Sequence, residues 1–196
     1  VYPSREWAWT RTFGEHVNDK IRRGMETFFR NQGFSAVAPH LHPDNEVTRR
    51  EGPGWSCNWS ERHTAFAAGL GTFGISGGLI TRRGIAHRLG SVVTNCFLEP
   101  VHRPYGDDPF AWCLRTAKGT CGVCIKRCPV GSIGESPDAR IKDLCAAHEM
   151  ETIPGAMADI FGWEGEYGCG LCQTGVPCET EVPPGFRMKQ RRQEAG

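Results

Sequence analysis

Cys121-Gly-Val-Cys124-Ile-Lys-Arg-Cys128-Pro129 is the stretch on which the reading of this chain turns. Two cysteines with two residues between them offer both sulfurs from one tight turn, with backbone N–H groups aimed at them. A third sulfur four residues on, followed by proline, leaves that turn in a new direction. The ten cysteines in 196 residues are Cys57, Cys96, Cys113, Cys121, Cys124, Cys128, Cys145, Cys169, Cys172 and Cys178, so eight fall within the segment from Cys113 to Cys178. A disulfide-stapled secreted domain is usually shorter, with its cysteines spread along it. Clustering of this kind asks for metal. Charge and hydropathy exclude other classes: 23 Lys+Arg against 22 Asp+Glu leave a net charge of +1, which gives no global pull toward nucleic acid or a membrane surface. There is no apolar run long enough to span a bilayer, and the first thirty residues lack the apolar core of a signal peptide.

The run matches the tail of the bacterial ferredoxin pattern C-x2-C-x2-C-x3-C-P, whose fourth cysteine ligates the other cluster of a pair. The pattern's first cysteine would fall at Lys118. Cys113 is the nearest substitute, with residues 114–120 read as a loop enlargement. Cys169-Gly-Leu-Cys172 repeats the two-residue spacing, Cys178 follows Pro177, and Cys145 lies upstream. Four plus four predicts two [4Fe–4S] clusters with exchanged last ligands: Cys113, Cys121, Cys124 and Cys178 on one, and Cys145, Cys169, Cys172 and Cys128 on the other. Structural zinc on the two C-x2-C pairs is the alternative. It leaves four cysteines idle and gives no role to Cys128-Pro129. Thiols or disulfides are a further alternative. Cys57 and Cys96 read as small buried hydrophobes.

The composition shift near Trp112 divides the chain into residues 1–112, a cysteine-rich part at 113–182, and a tail at 183–196 carrying the basic stretch Arg187–Arg192. The first part reads as α+β, with helices on a short sheet. Val17, Ile21, Met25 and Phe28 recur at helical spacing, with Gly33 as the stop. Phe34–Ala38 reads as a strand ended by Pro39, and Leu41–Gly54 as a loop. Ser60 is an N-cap for a helix over 61–70, after which Gly69, Gly71, Gly74, Gly77 and Gly78 make a close-approach segment. Leu79–Thr81 and Leu89–Leu98 read as strands. Trp55 and Trp59 flank a turn-rich stretch where a flat ligand could sit.

Ala67-Ala-Gly-Leu-Gly-Thr-Phe-Gly-Ile-Ser-Gly-Gly-Leu-Ile-Thr81, then Arg88-Leu-Gly-Ser-Val-Val-Thr94, then the two cysteine sets, resemble in that order the corrinoid iron–sulfur reductases, the superfamily of reductive dehalogenases and epoxyqueuosine reductase. Phe28–Pro39 is similar to the helix-to-strand passage of the dehalogenase branch, and Tyr167-Gly-Cys-Gly-Leu-Cys-Gln173 to the second cluster motif of the other branch. The resemblance implies a nitroreductase-like cobalamin-binding module, N-terminally truncated here either because the chain is a fragment or because it is a shortened relative, followed by a ferredoxin-like module with two [4Fe–4S] clusters. It implies cobalamin (a corrinoid) at Gly69, Leu70, Gly71, Gly74, Gly77, Arg88 and Thr94, where glycines would let a wide macrocycle approach the backbone. Electrons would pass from an external donor, a ferredoxin or flavodoxin, through the clusters to the corrinoid and a small organic substrate, in a reaction like reductive dehalogenation. Ile75 stands where the dehalogenases often carry arginine, and Asn95 where the strand motif ends in aspartate.

The alternative is a two-cluster electron-transfer protein with no corrinoid and no substrate of its own. For the enzyme, the catalytic proton donor is not assigned. His16, His40, His42 and His63 are candidates, with Tyr2, Tyr105 and Tyr167. Arg62 and Arg88 are candidates to hold an anion. Reduced thiols and clusters suit a cytoplasmic location, with no nucleic-acid partner and no membrane span.

Overall fold

The computed structural model describes residues 1–51, 54–161 and 168–186. It is a mixture of helices and three separate two-stranded antiparallel ladders, where a single short sheet was expected. Among the described residues no helix is long and apolar enough to cross a membrane. The basic stretch at 187–192 and Tyr167 lie outside the described residues.

Helix α1 (Arg5–Asn31) is longer than its apolar periodicity indicates. Ser4 caps it, its Oγ accepting the Trp7 N–H at 3.2 Å, and Glu6 complements the helix dipole in the first turn. Gly33, at φ 84°, turns the chain away beyond its end. Its apolar stripe does not face a core: Val17 (55%), Ile21 (58%), Met25 (43%) and Phe28 (54%) are all exposed. The helix buries Ala8, Thr12 and Arg22 instead.

Arg22 explains that rotation. Its Nη1 donates to Glu15 Oε1 and Asp19 Oδ1, both at 2.6 Å, and its Nη2 donates to the Leu89 carbonyl at 2.7 Å. Asn18 Nδ2 donates to the same carbonyl at 2.8 Å. Arg88 pairs with the other oxygen of Glu15 at 3.1 Å and donates to the Arg11 carbonyl. A Cβ on Gly90 would come within 2.9 Å of Asn18 Oδ1 and 3.1 Å of Arg22 Nε. Arg88-Leu89-Gly90 is therefore a docking segment on α1. The strand expected over Leu89–Leu98 shrinks to β6 (Val93–Thr94), paired with β1 (Ala36–Val37), because side chains take the Leu89 carbonyl that a ladder would need.

The expected loop over 41–54 contains half of a hairpin, β2 (Val47–Arg50) with β3 (Gly54–Cys57). Its strands are largely exposed and lack apolar alternation, so no periodicity announced them. The hairpin is held from outside: Arg49 forks onto Asp143 at 3.2 and 2.6 Å, and Lys142 Nζ donates to the Trp55 carbonyl at 3.1 Å. Helix α2 (Glu61–Ala67) starts at Ser60 as read, though it ends earlier, and Gly69 follows at φ 78°.

Strands β4 (Gly71–Phe73) and β5 (Leu79–Thr81) form a buried hairpin with Gly71 opposite Thr81. A core of Ile75, Ile80 and Ile85 with Trp112, Cys113, Ile133 and Val176 wraps this hairpin. The compositional boundary near Trp112 runs through that core. Beyond it come α3 (Leu114–Lys118), where a loop enlargement was expected, then α4 (Val123–Arg127) and α5 (Lys142–Ala147). A wider π-type turn (His148–Thr152) leads into α6 (Ile153–Phe161). Lys118, at the ferredoxin pattern's missing cysteine, donates to the Gly185 carbonyl at 2.6 Å and lies over the Phe186 ring.

Removing one partner of a buried ionic network leaves charge without compensation. Arg22→Met should therefore lower the free energy of unfolding by about 3–5 kcal/mol, read by urea titration at neutral pH. Burial pushes the Glu15 carboxyl up, but the Arg22 hydrogen bond and the Arg88 charge outweigh it and hold it below its ordinary 4.5. A depressed carboxyl stabilises the fold fully above its unfolded pKa and loses that contribution as pH falls through the folded one. The gap between wild type and Arg22→Met should thus narrow below about pH 4.5.

Candidate metal centre

The β4–β5 hairpin positions the first sulfurs. Thr72 Oγ1, fully buried, accepts the Trp112 N–H at 3.0 Å, and the Phe73 N–H donates to the Pro109 carbonyl at 2.6 Å. These bonds deliver Cys113 to the start of α3, where its sulfur accepts the Ile75 N–H at 3.4 Å. Cys121 precedes α4 and Cys124 lies on it. The chain after β5 holds the fourth: the Ile85 N–H donates to the Cys178 carbonyl at 2.8 Å and the Ala86 N–H to the Glu179 carbonyl at 3.1 Å. Gly84, at φ 80°, admits that carbonyl where a Cβ would collide with it. Cys113, Cys121, Cys124 and Cys178 line one cavity with Ile75, Ile80 and Val176. Burial, with the neighbouring sulfurs Cys113 and Cys121, pushes the Cys124 thiol up to about 11. Burial and the sulfurs of Cys124, Cys113 and Cys121 push Cys178 up to about 12.

Cys128, Cys145, Cys169 and Cys172 make up the second group. Cys128 ends α4, Cys145 lies on α5, and Cys169 and Cys172 sit on the loop that follows α6. That loop is tied down by Trp7 Nε1 donating to the Gly168 carbonyl at 3.1 Å and by Arg127 Nε donating to the Leu171 carbonyl at 2.9 Å. A side chain on Gly170, at φ 60°, would overlap the Trp7 ring. Burial raises Cys169, with the sulfurs of Cys145 and Cys128 adding to it. Burial drives Cys172 up to about 12, opposed by Arg140 and reinforced by Cys145, Cys169 and Cys124. Cys128 goes the other way. Burial pushes it up, but the Ser132 hydroxyl at 3.4 Å, the Ser132 N–H at 3.3 Å and neighbouring backbone N–H groups hold it below 9.0.

All ten cysteines are unbridged. Among the described residues, the group of three or more His, Cys, Asp or Glu ligand atoms lying within 4.8 Å of one another is Glu15, Asp19 and His40, and no three sulfurs meet that spacing. The Arg22 guanidinium already sits on both carboxylates of that trio as their cation. A tetrahedral zinc with bonds of about 2.3 Å holds its sulfurs about 3.8 Å apart. As placed, neither sulfur group closes the cage of one zinc ion, and cysteine donors of this kind are compatible with iron–sulfur ligation.

The residues expected at a corrinoid are turned to other uses. The free side of Gly71 faces the Ile80 carbonyl, that of Gly77 the Arg140 guanidinium, and a Cβ on Gly74 would meet Ile80 and Ile85 at 3.5 Å. A Cβ on Gly69 would face Arg103 at 3.6 Å. Leu70 is exposed, Arg88 is engaged with Glu15, and Thr94 Oγ1 accepts the Cys96 N–H at 3.1 Å. As placed in this chain these seven residues do not form an open cradle for a planar macrocycle.

The other candidates are spoken for in part. Tyr105 donates to the Phe66 carbonyl at 2.9 Å, and burial raises its pKa. His63 packs on Phe73, and burial with the Arg62 charge lowers its pKa. His40 faces Glu15, His42 faces Asp44, and His16 meets the Phe13 ring edge-on. Trp59 donates to Ser91 at 3.0 Å. Cys57 is exposed and Cys96 half-buried, so neither is the buried hydrophobe expected, because both lie at the margins of short ladders. Sequence reading missed the Ile75 N–H, Ser132, Arg140 and Trp7. Only Ser132, four residues past Cys128, carried a local signal.

No protein-family model and no curated protein matches the chain. Among solved structures it is similar to epoxyqueuosine reductase from Streptococcus thermophilus, at 20% identity and a TM-score of 0.48 over 90% of this chain. The chain spans 42% of that protein's length. Likeness of that degree assigns neither a fold family nor a function.

The thiolate, not the thiol, is the nucleophile. In metal-free protein, alkylation followed by mass spectrometry across a pH series should find Cys128 reaching its limiting rate at lower pH than Cys124, Cys172 and Cys178. Ser132→Ala should move Cys128 toward them.

Proposed function

We propose that this chain binds two [4Fe–4S] clusters, one on Cys113, Cys121, Cys124 and Cys178 and the other on Cys145, Cys169, Cys172 and Cys128, and serves as the electron-relaying part of an oxidoreductase. The observation that carries this reading is the interleaving of the two groups. Cys178 is far from Cys121 and Cys124 in sequence yet shares their cavity, and Cys128 acts electrostatically on Cys169. Such an exchange is the ligand logic of two-cluster ferredoxins. The clusters would supply one-electron transfer.

The chain's own residues supply the rest. The Ile75 N–H at Cys113 and the Ser132 N–H and hydroxyl at Cys128 offer hydrogen bonds that stabilise sulfur charge. The apolar walls Ile75, Ile80 and Val176 limit water at the first group. Thiols raised as far as Cys124, Cys172 and Cys178 must give up protons to ligate metal, so loading is coupled to proton release. An external ferredoxin or flavodoxin would be the electron donor.

A second reading, a cobalamin-dependent reductase of a small organic substrate, is favoured by the motif order that resembles the corrinoid iron–sulfur reductases. The packing of Gly71, Gly74 and Gly77 against the chain itself weighs against a corrinoid on those residues. The modules implied by the resemblance, nitroreductase-like at 1–112 and ferredoxin-like at 113–182, belong to that reading.

Anaerobic reconstitution and analysis should give about eight iron and about eight acid-labile sulfide per chain. One or two zinc with no sulfide rejects the proposal. Cys178→Ala should remove the EPR signal that Cys121→Ala also removes, while Cys128→Ala should remove the other. Gel filtration after incubation with cobalamin should leave no corrinoid on this chain, and one-to-one retention supports the second reading.

A further inference from the structure

Arg140 lies between the two features that dominated the sequence. One end of its guanidinium, Nη2, stands 4.0 Å from the Cys145 sulfur. The other, Nη1, occupies the space where Gly77 would carry a Cβ. Gly77 has φ 79°, so both its backbone and its missing side chain suit this arrangement. The Arg140 Nε is buried without a hydrogen-bond partner.

A second arginine stands beside it. Arg62 donates from Nη1 to the Gly77 carbonyl at 2.5 Å, and desolvation together with the Arg140 charge lowers its pKa. Neither arginine forms an ion pair among the described residues. Glu149 acts on Arg62 and on Cys169 only at longer range. Arg140 is half-buried, and Arg62, itself exposed, sets a like charge beside it, an arrangement that is unfavourable unless a nearby anion compensates it. The neighbours that can become anionic on metal binding are Cys145 and Cys172.

Among the described residues the first sulfur group has no equivalent: its walls are mainly apolar, and the one arginine among them lining its cavity, Arg115, is paired with Glu135. Reduction adds one negative charge to a cluster without a proton, and a nearby cation in a partly desolvated site favours the more negative state.

We infer that Arg140, seated against Gly77 and backed by Arg62, is the residue that raises the reduction potential of the Cys128/Cys145/Cys169/Cys172 site above that of the Cys113/Cys121/Cys124/Cys178 site, so that the first electron taken up resides on the second site. This rests on the two-cluster reading above. Arg140 acts here as a tuning residue, and Gly77 positions it.

The test is an EPR-monitored redox titration with dithionite of the whole reconstituted chain, as wild type, Arg140→Gln and Arg140→Lys, with iron and sulfide measured on each sample. The signal removed by Cys128→Ala identifies the second site. In Arg140→Gln that site's midpoint should fall, with the other site unmoved, and Arg140→Lys should restore most of the difference. An unchanged second-site midpoint at full iron content, or a shift confined to the first site, overturns the inference while leaving the cluster reading intact. Wild-type protein without two clusters sinks the cluster reading itself, and this inference with it. If Arg140→Gln does not hold iron, Gly77→Ala pushes the guanidinium aside with the arginine retained. A fall in the second-site midpoint in that variant supports the inference, and no change overturns it.

Discussion

Sulfur buried close to sulfur cannot ionise without help, and the architecture of this chain answers that constraint. Burial and mutual repulsion hold Cys124, Cys172 and Cys178 at about 11 to 12, far from where a thiolate forms unaided near neutrality. What lies around the two groups would offset the charge they take on if they ligate metal. The Ile75 N–H is aimed at Cys113, the Ser132 N–H donates to Cys128 with the Ser132 hydroxyl beside it, and the Arg140 guanidinium reaches Cys145. The proton released and the charge compensated are two aspects of the same requirement.

The β4–β5 hairpin is the template for this arrangement. Its buried Thr72 and Phe73 secure the approach to Cys113, the corner at Ile75 supplies a donor, Gly77 admits Arg140, and the chain just after it grips Cys178 and Glu179. A glycine-dense stretch that looked like a landing place for a flat ligand is spent on contacts within the chain. Gly71 permits close passage of the opposite strand, and Gly84 admits a carbonyl. Glycine tolerates close approach by any backbone, its own included.

Away from the sulfurs, charge again decides the packing. The buried Arg22 links α1 to the Arg88-Leu89-Gly90 segment through Glu15, Asp19 and the Leu89 carbonyl. It turns the helix so that its apolar stripe of Val17, Ile21, Met25 and Phe28 faces outward. A hydrophobic stripe is usually the buried face. Here a guanidinium with three hydrogen bonds and two carboxylates fixes the orientation.

Local chemistry was legible from the residues alone. Ser60 as a cap, Gly33 as a stop, the helix through Val17 and Phe28, and the strand at Leu79–Thr81 each depend on neighbours a few positions away, and each is present. The spacing Cys121, Cys124, Cys128 likewise announced sulfurs that leave one turn in two directions. The hairpin over 47–57 was hidden because Asp143 and Lys142, nearly a hundred residues on, hold its exposed strands. The role of the glycines was hidden because what fills the space beside a glycine is set by whichever distant chain packs there. Composition and spacing determined that this is a sulfur-centred metal protein candidate. Only the tertiary structure decided which donors and cations serve each sulfur, since electrostatic compensation acts through space and leaves no periodic mark along the chain.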